Sequence, residues 1–328
     1  MANIIVTHPW ADMDAFMSAL ALEWLFSKYY HGVIKIVFLT ETETYHNLVV
    51  SNDAEYVELG GNRVYHVDCG AGKFNDDGDG DKRLCTLQII DQHFGLVTRF
   101  PAWRAVVSYV ARVDMGQRDE VFDKANDIDL WRHSGDTDYD ILGRLRIWLK
   151  DVLDLEQMKI EIKRLSVQTI SDPSQIDTHG THYIGKIKAG KHSLGIVVSY
   201  STLMNRLLQV RLRNVTGINV TFDVNSGNTV IWASDADLDL VDSGIVGAIR
   251  CAEAAKRGLT LCDEEVSLLG DTLRDGNRLM SWFAFAPNGH VRGLFDGSPK
   301  KAGIPAELRT RLSKEEIINA VVAALRSS

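Results

Sequence analysis

The sequence predicts an α/β protein with two domains. We expect a doubly wound, mainly parallel sheet in the first domain and a second, smaller domain of mixed α/β structure. Three observations support this prediction. The chain has 328 residues, more than the usual ~100–200 of one domain. Short apolar runs alternate with helical patterns over its first half, as in parallel sheets, and a cluster of turn-forming residues at 171–180 then interrupts the pattern.

The expected domain boundaries follow from the same pattern. We place the first domain at residues 1–165, a linker at 166–180 and the second domain at 181–328. Turn-forming residues are uncommon inside helices and strands, so their clustering marks the linker. A charged, helix-compatible stretch at 156–167 precedes it.

Strand and helix patterns alternate through the first domain. The apolar run at 3–7 predicts a strand, and apolar residues spaced three and four apart from Ala15 to Leu25 predict the helix that follows. Such alternation is typical of a sheet with helices on both faces. Further strands are predicted at 34–39, 63–68 and 87–91, and further helices at 106–113 and 141–153.

The second domain has a weaker pattern of strands and helices. Turn residues at 225–228 separate two apolar runs and predict a hairpin. The predicted strands are 193–199, 218–224 and 229–233, and the predicted helices are 203–212 and 245–256.

The composition excludes several classes of protein. Hydrophobic residues make up 45% and charged residues 24% of the chain, as in a folded protein rather than a disordered or collagen-like one. The sequence has no apolar run of about 18 residues, and its beginning lacks the features of a signal peptide. We therefore expect a cytoplasmic protein with no membrane partner. Its four cysteines form no CxxC pair, which predicts free thiols.

The charge of the chain is acidic and uneven. The net charge is −8, and residues 1–200 carry 21 basic and 29 acidic side chains, whereas residues 201–328 carry 15 of each. Binding to duplex nucleic acid needs many Lys and Arg side chains to neutralise phosphates, so this distribution disfavours a duplex partner. An acidic first half suits a carboxylate cluster that binds metal ions.

Four groups of acidic and imidazole side chains follow predicted strands or helices. In parallel sheets, ligands bind beyond the carboxyl ends of the strands, so we expect these groups to converge. Carboxylates with some imidazole nitrogen suit Mn²⁺ or Mg²⁺, and two such ions about 3.5–4 Å apart can activate water for attack on phosphorus. The groups are His8, Asp12 and Asp14; Asp68; Asp91, Gln92 and His93; and Asp114.

Other interpretations apply to some of these residues. Asp12 can instead cap the helix that begins near Met13, and we expect it to bind a metal only if water takes over the cap. The acidic stretch at 75–81 lacks the glycine and glutamate of an EF-hand, which predicts a solvated loop. Trp10 lies inside the first group, where its ring can stack on a base.

The order of these groups resembles the metal-binding motifs of the DHH phosphoesterase superfamily. The likeness covers about the first 120 residues, with H-x-x-x-D-x-D-A at His8, then a lone aspartate, then D-x-H, then a further aspartate. It implies that His8 and Asp12 bind one metal and that Asp14 and Asp114 bind the other. Asp68 then bridges the two ions and acts in catalysis.

The third motif departs from the family pattern. Asp-His-His is usual there, and Gln92 stands at the place of the first histidine, which is a metal ligand. The resemblance implies that Gln92 takes the ligand position, that His93 contacts the substrate phosphate and that Asp91 orients its neighbours. An amide oxygen is a weaker ligand, so we expect one or two bound ions.

The second domain resembles the family less. Its usual glycine-rich loop with a histidine has no clear counterpart; the nearest segments are 249–258 and 288–293. In the latter, His290 and Arg292 are candidate substrate-binding residues.

Together these features predict a metal-dependent phosphoesterase that hydrolyses a nucleotide, a dinucleotide or a short oligonucleotide. Inorganic pyrophosphate or polyphosphate hydrolysis is an alternative with the same chemistry. A second alternative is a degenerate member that binds a nucleotide or a protein partner without catalysis, which Gln92 favours. A homodimer is compatible with any of these functions.

Overall fold

The computed structural model describes residues 1–39, 45, 48, 50–70, 72–76, 84–117, 123–176, 182–212, 215–261, 266, 282–286, 290–296 and 309–327. The chain divides into two compact units, Met1–Ile160 and Glu161–Ser328. Both contain helices and a mixed sheet, so the predicted α/β class is confirmed. The second unit is slightly longer than the first, and the prediction of a smaller second domain was therefore wrong.

The first unit contains a four-stranded sheet with the order β2-β1-β4-β3. β1 pairs in parallel with β2 and β4, while β3 pairs antiparallel with β4 at one edge. All five residues of β1 are buried, as expected of a central strand. The strands are β1 (Asn3–Thr7), β2 (Ile34–Phe38), β3 (Val57–Leu59) and β4 (Asn62–His66).

The helices of the first unit surround a core that includes Ile5, Phe16 and Trp103, each fully buried. The first helix is apolar along most of its length, and twelve of its residues are buried. The helices are α1 (Met13–Tyr29), α2 (Thr86–Phe94), α3 (Leu96–Arg99), α4 (Trp103–Asp114), α5 (Lys124–His133) and α6 (Asp138–Arg164).

One predicted strand is a helix. Residues 87–91 lie in α2, where Leu87 and Ile90 are buried three positions apart, as on one face of a helix. The Cys85 N–H donates to Gln88 Oε1 at 3.1 Å at the start of the helix, and Gly95 ends it with a left-handed φ of 63°. A short apolar run does not distinguish a strand from a buried helix segment, which explains the error.

The second unit contains a seven-stranded mixed sheet with the order β10-β11-β9-β8-β7-β6-β5. β8 and β9 form the predicted antiparallel hairpin. The strands are β5 (Gln168–Thr169), β6 (Tyr183–Ala189), β7 (His192–Ser199), β8 (Ile218–Asp223), β9 (Thr229–Ala233), β10 (Trp282–Phe285) and β11 (Gly293–Asp296). The helices are α7 (Thr202–Leu212), α8 (Ile245–Lys256) and α9 (Lys314–Ser327).

Part of the segment predicted as a linker belongs to this unit. β5 pairs in parallel with β6, Ile170 is buried in the second core, and Pro173–Gln175 forms a turn of 3-10 helix. The apolar side chain of Ile170 packs in this core, whereas the linker was predicted only from the turn-forming residues that follow it. Residues 177–181 lie outside the described part.

Within the described residues, no helix combines the length and the apolar character needed to cross a membrane. Cys69, Cys85 and Cys251 are free, as predicted, and Cys262 lies outside the described residues.

Candidate metal centre

The first group of candidate ligands is His8, Asp12 and Asp68. Each offers one ligand atom, and these atoms lie within 4.8 Å of one another. His8 follows β1 directly, Asp12 precedes α1, and Asp68 comes two residues after β4. β1 and β4 are parallel neighbours, so their carboxyl ends meet at one edge of the sheet and bring the three side chains together.

The His8 ring is held in one orientation. Its Nδ1 lies 2.8 Å from the Pro9 carbonyl oxygen, and because a carbonyl only accepts, Nδ1 is the donor. Nε2 therefore faces Asp68 Oδ2, at 3.3 Å. The hydrogen bond to Asp68 raises the pKa of the His8 imidazole to about 9. This histidine presents Nε2 to the group, with its other nitrogen occupied by the backbone, as in many metal sites.

Asp12 caps α1 and also belongs to the first group of candidate ligands. Its Oδ1 accepts the Ala15 N–H at 3.1 Å and caps α1, while the carboxylate remains in the group with His8 and Asp68. A carboxylate has about four acceptor positions, so capping leaves capacity for another partner. The expectation that water replaces Asp12 at the cap when a metal binds stays a prediction.

The second group is Asp14, Asp76 and Asp114, whose ligand atoms also lie within 4.8 Å of one another. Asp14 is in the first turn of α1 and Asp114 is the last residue of α4. Asp76 belongs to the acidic stretch that we predicted to be a solvated loop, and the structure places it beside two other carboxylates. Residues 77–81 of that stretch lie outside the described part.

Asp14 connects α1 to α2. It is buried, and its carboxylate accepts the Thr86 N–H at 2.6 Å, the Leu87 N–H at 3.0 Å and the Ser18 hydroxyl at 3.1 Å. Burial and the Asp68 carboxylate raise the pKa of Asp14 to about 7, although the N–H groups of Leu87 and Thr86 favour its ionised form. These three donors use most of the roughly four acceptor positions of the carboxylate, and the Cys85 thiol also hydrogen-bonds to it.

Thr86 joins the two groups. Its N–H donates to Asp14 Oδ2, and its hydroxyl donates to Asp68 Oδ1 at 3.1 Å. Thr86 is fully buried, so both hydrogen bonds are shielded from water. The sequence analysis missed this residue and Asp76. A predicted helix start at Thr86 could have indicated the role of this residue, because helix N-termini attract carboxylates.

Two residues near these groups have an unusual backbone conformation. Trp10 has φ of 58° and Asp68 has φ of 52°, and in the described part of the chain they are the non-glycine residues with positive φ. Aspartate tolerates this region, but for a bulky residue such as tryptophan it is an outlier. Strained residues of this kind concentrate at functional sites.

The charges of the two groups favour a cation. Five carboxylates and one imidazole make up the groups. Burial, together with the carboxylates of Asp12 and Asp68, raises the pKa of Asp114. Asp14 is buried, and buried carboxylates are commonly paired with cations or bind metals. Oxygen ligands with one nitrogen fit Mn²⁺ or Mg²⁺. The donor set therefore fits the metal that the resemblance implies.

Asp91 and His93 of the third motif do not belong to these groups. Asp91 accepts the Val97 N–H at 2.7 Å through Oδ1 and so holds α3. His93 Nε2 lies 3.3 Å from Glu55 Oε2, and its ring packs against Phe74. Gln92 lies six residues after Thr86 on the same helix, about 9 Å along its axis.

His290 and Arg292, the candidate substrate residues, lie in the second unit. His290 Nδ1 is 3.6 Å from Asp239 Oδ2, and its side chain is 70% exposed. The Arg292 guanidinium donates to the carbonyl oxygens of Ala233 and Ala236. Arg292 thus stabilises the chain after β9 with the donors that we expected to contact a phosphate.

Comparison with known proteins assigns no family to the chain. No family model matches it, and no curated protein matches it significantly. The case for a metal centre therefore rests on the geometry of the described residues.

Proposed function

We propose that the chain is a metal-dependent phosphoesterase of the DHH type that hydrolyses a nucleotide or a short oligonucleotide. One observation carries this proposal: His8, Asp12 and Asp68 form one group of ligand atoms, Asp14, Asp76 and Asp114 form another, and Thr86 hydrogen-bonds to both groups. The parallel arrangement of β2, β1 and β4 supports the doubly wound sheet that this family implies.

In this proposal each group holds one divalent ion, Mn²⁺ or Mg²⁺. Bound ions of this kind lower the pKa of water and neutralise phosphate oxygens. Asp68 orients the first group, because Oδ2 faces His8 and Oδ1 accepts the Thr86 hydroxyl. Asp14 fixes the second group against the start of α2. Asp91, Gln92 and His93 have no part in this mechanism.

The test is hydrolysis by the full chain in the presence of Mn²⁺. The substrates are dinucleotides, short RNA, a nucleotide, pyrophosphate and a model phosphodiester. We expect turnover of at least one phosphate ester. Asp68→Asn should reduce the rate of this turnover. The reduction should exceed the roughly 10–100-fold loss that follows removal of a residue that only orients a metal ligand.

Asp53→Asn is the matched control, because Asp53 is an exposed carboxylate of the same unit outside both groups. It should retain the activity of the wild-type chain. Absence of turnover on every substrate, or equal rates for Asp68→Asn and the wild type, would contradict the proposal.

A further inference from the structure

Trp10 is an exposed aromatic residue held in a strained conformation. Its side chain is 71% exposed, although it follows β1 and lies between His8 and Asp12 in sequence. Its φ is 58°, a value that a bulky side chain rarely adopts. Folding thus fixes a large apolar ring at the surface, in the loop that carries His8 and Asp12.

Several hydrogen bonds hold the Trp10 segment in place. The Trp10 N–H donates to Asp138 Oδ2 at 3.0 Å. The Arg132 guanidinium carbon lies 5.3 Å from the centre of the Trp10 ring, and the guanidinium donates to the Ala11 carbonyl at 2.8 Å and to Asp138 Oδ1 at 2.9 Å. Arg132 therefore supports the indole, and the high exposure of Trp10 leaves the ring available for another partner.

A pocket of about 370 Å³ opens at this ring. Two further aromatic side chains line it, Phe38 and Tyr139, which pack edge to face with centres 5.0 Å apart. The volume lies within the range of small-molecule sites, and aromatic linings are typical of them. Trp10, which lines this pocket, is two residues from both His8 and Asp12 in the sequence.

The charged side chains of the pocket are already paired. Asp138 contacts Arg132 at 2.9 Å, and Asp136 contacts Arg144 at 3.0 Å. Because each charged side chain of the lining already has a partner of opposite charge, the pocket favours an uncharged planar group over a phosphate or a metal ion. A nucleobase has these properties, and bases stack on tryptophan with little dependence on their identity.

We propose that the Trp10 pocket binds the base of a nucleotide whose phosphate lies at the His8, Asp12 and Asp68 group. This inference rests on the proposed function and narrows it. The substrates are then nucleotides or the ends of short oligonucleotides, and inorganic pyrophosphate and polyphosphate are excluded as the preferred substrates.

The test compares two ligands that differ by a base. The phosphonate analogues of AMP and of ribose 5-phosphate have a methylene group in place of the ester oxygen, so neither is hydrolysed. Their dissociation constants for the full chain are measured by calorimetry with Mn²⁺ present. We expect the AMP analogue to bind about tenfold more tightly to the wild type.

Trp10→Ala should reduce this preference to about twofold or less, whereas Trp10→Phe should retain most of it, because phenylalanine keeps an aromatic face. Tyr29→Ala is the matched control. Tyr29 is 54% exposed and lies near an arginine, Arg99, but it is at the far end of α1, about 25 Å from Asp12 by helix length. This control should keep the wild-type preference.

Equal affinity of the wild type for both analogues, no binding of either, or a preference that persists in Trp10→Ala would overturn the inference. Equal affinity that falls in Trp10→Ala would show that the sugar, not the base, contacts the ring. The proposed function fails separately. If Mn²⁺ supports no turnover but the base preference depends on Trp10, the pocket binds nucleotides and the hydrolysis proposal is wrong.

Discussion

Thr86 contributes two different atoms to the candidate centre. The backbone N–H contacts Asp14 and the hydroxyl contacts Asp68, so this residue fixes the distance between a carboxylate of each group. Residues that orient metal ligands in this way commonly contribute to affinity without touching the metal. We therefore expect the Thr86 hydroxyl to increase the affinity for a metal by orienting Asp68.

Thr86→Val should weaken Mn²⁺ binding by about 10–100-fold, because valine keeps the shape of the side chain but cannot donate to Asp68. Thr86→Ser keeps the donor and should bind Mn²⁺ nearly as the wild type does. Calorimetric titration of the full chain with Mn²⁺ measures both variants. Similar affinities for the valine and serine variants would show that the hydroxyl does not orient Asp68.

At the residue scale, spacing in the sequence predicted much of the candidate centre. His8, Asp12, Asp14, Asp68 and Asp114 were chosen because they follow strands or end helices, and the structure places all five in the two groups. Asp76 and Thr86 were not predicted. Their contribution depends on where an irregular segment and the start of α2 lie in space, and neither has a spacing that indicates it.

Among the elements, α2 shows why the third motif was misplaced. The expectation of a strand put Asp91, Gln92 and His93 at the carboxyl end of the sheet, beside the other candidate ligands. In the structure these residues are at the C-terminal end of a helix whose N-terminus contacts Asp14. An error in one element thus displaced three candidate residues. By contrast, β1 and α8 begin and end at the predicted residues, because their apolar patterns match one period clearly.

Asp14→Ala should destabilise the chain by about 1–3 kcal/mol, because the buried N–H groups of Thr86 and Leu87 lose their acceptor. The free energy of unfolding, measured by urea titration without metal, tests this value. Asp53→Ala, at an exposed position, should change the free energy by less than about 0.5 kcal/mol. Equal effects of the two substitutions would show that Asp14 does not hold α2.

At the scale of the whole molecule, the two units have separate cores and separate buried charges. The first core contains residues between Ile5 and Leu149, and the second contains residues between Ile170 and Leu325. In the second unit, Glu253 is fully buried and accepts hydrogen bonds from Arg257, Trp282 and the 310–311 segment. Burial raises the pKa of Glu253, but these hydrogen bonds outweigh it and the net pKa is lowered.

Asp296 lies close to Glu253 and gives the second unit a pH-dependent stability. Burial raises the pKa of Asp296 to about 7, and the negative charge of Glu253 adds to this effect. Thr310 N–H donates to Asp296 at 2.9 Å, and the nearby Arg309 and Arg257 only partly oppose the shift. Because the folded-state pKa exceeds the unfolded value, the folded state binds the proton more tightly. Stability is therefore lost as the pH rises from about 4 to about 7.

Asp296→Asn removes this ionisation and keeps an oxygen for Thr310. From pH 5 to pH 8, the free energy of unfolding of the wild type should fall by more than about 1 kcal/mol relative to that of the variant. Urea unfolding of both proteins at the two pH values measures this change. A difference between the proteins that is the same at pH 5 and pH 8 would contradict the raised pKa.

The central claim is that the side chains near the ends of β1 and β4 hold divalent cations. Anomalous X-ray scattering from crystals of the full chain with Mn²⁺ tests it most directly, because the signal locates manganese and identifies the contacting atoms. We predict one or two peaks, one contacting His8, Asp12 and Asp68 and the other contacting Asp14, Asp76 and Asp114. At saturating Mn²⁺, the absence of a peak at both groups, or manganese bound only elsewhere, would contradict the claim.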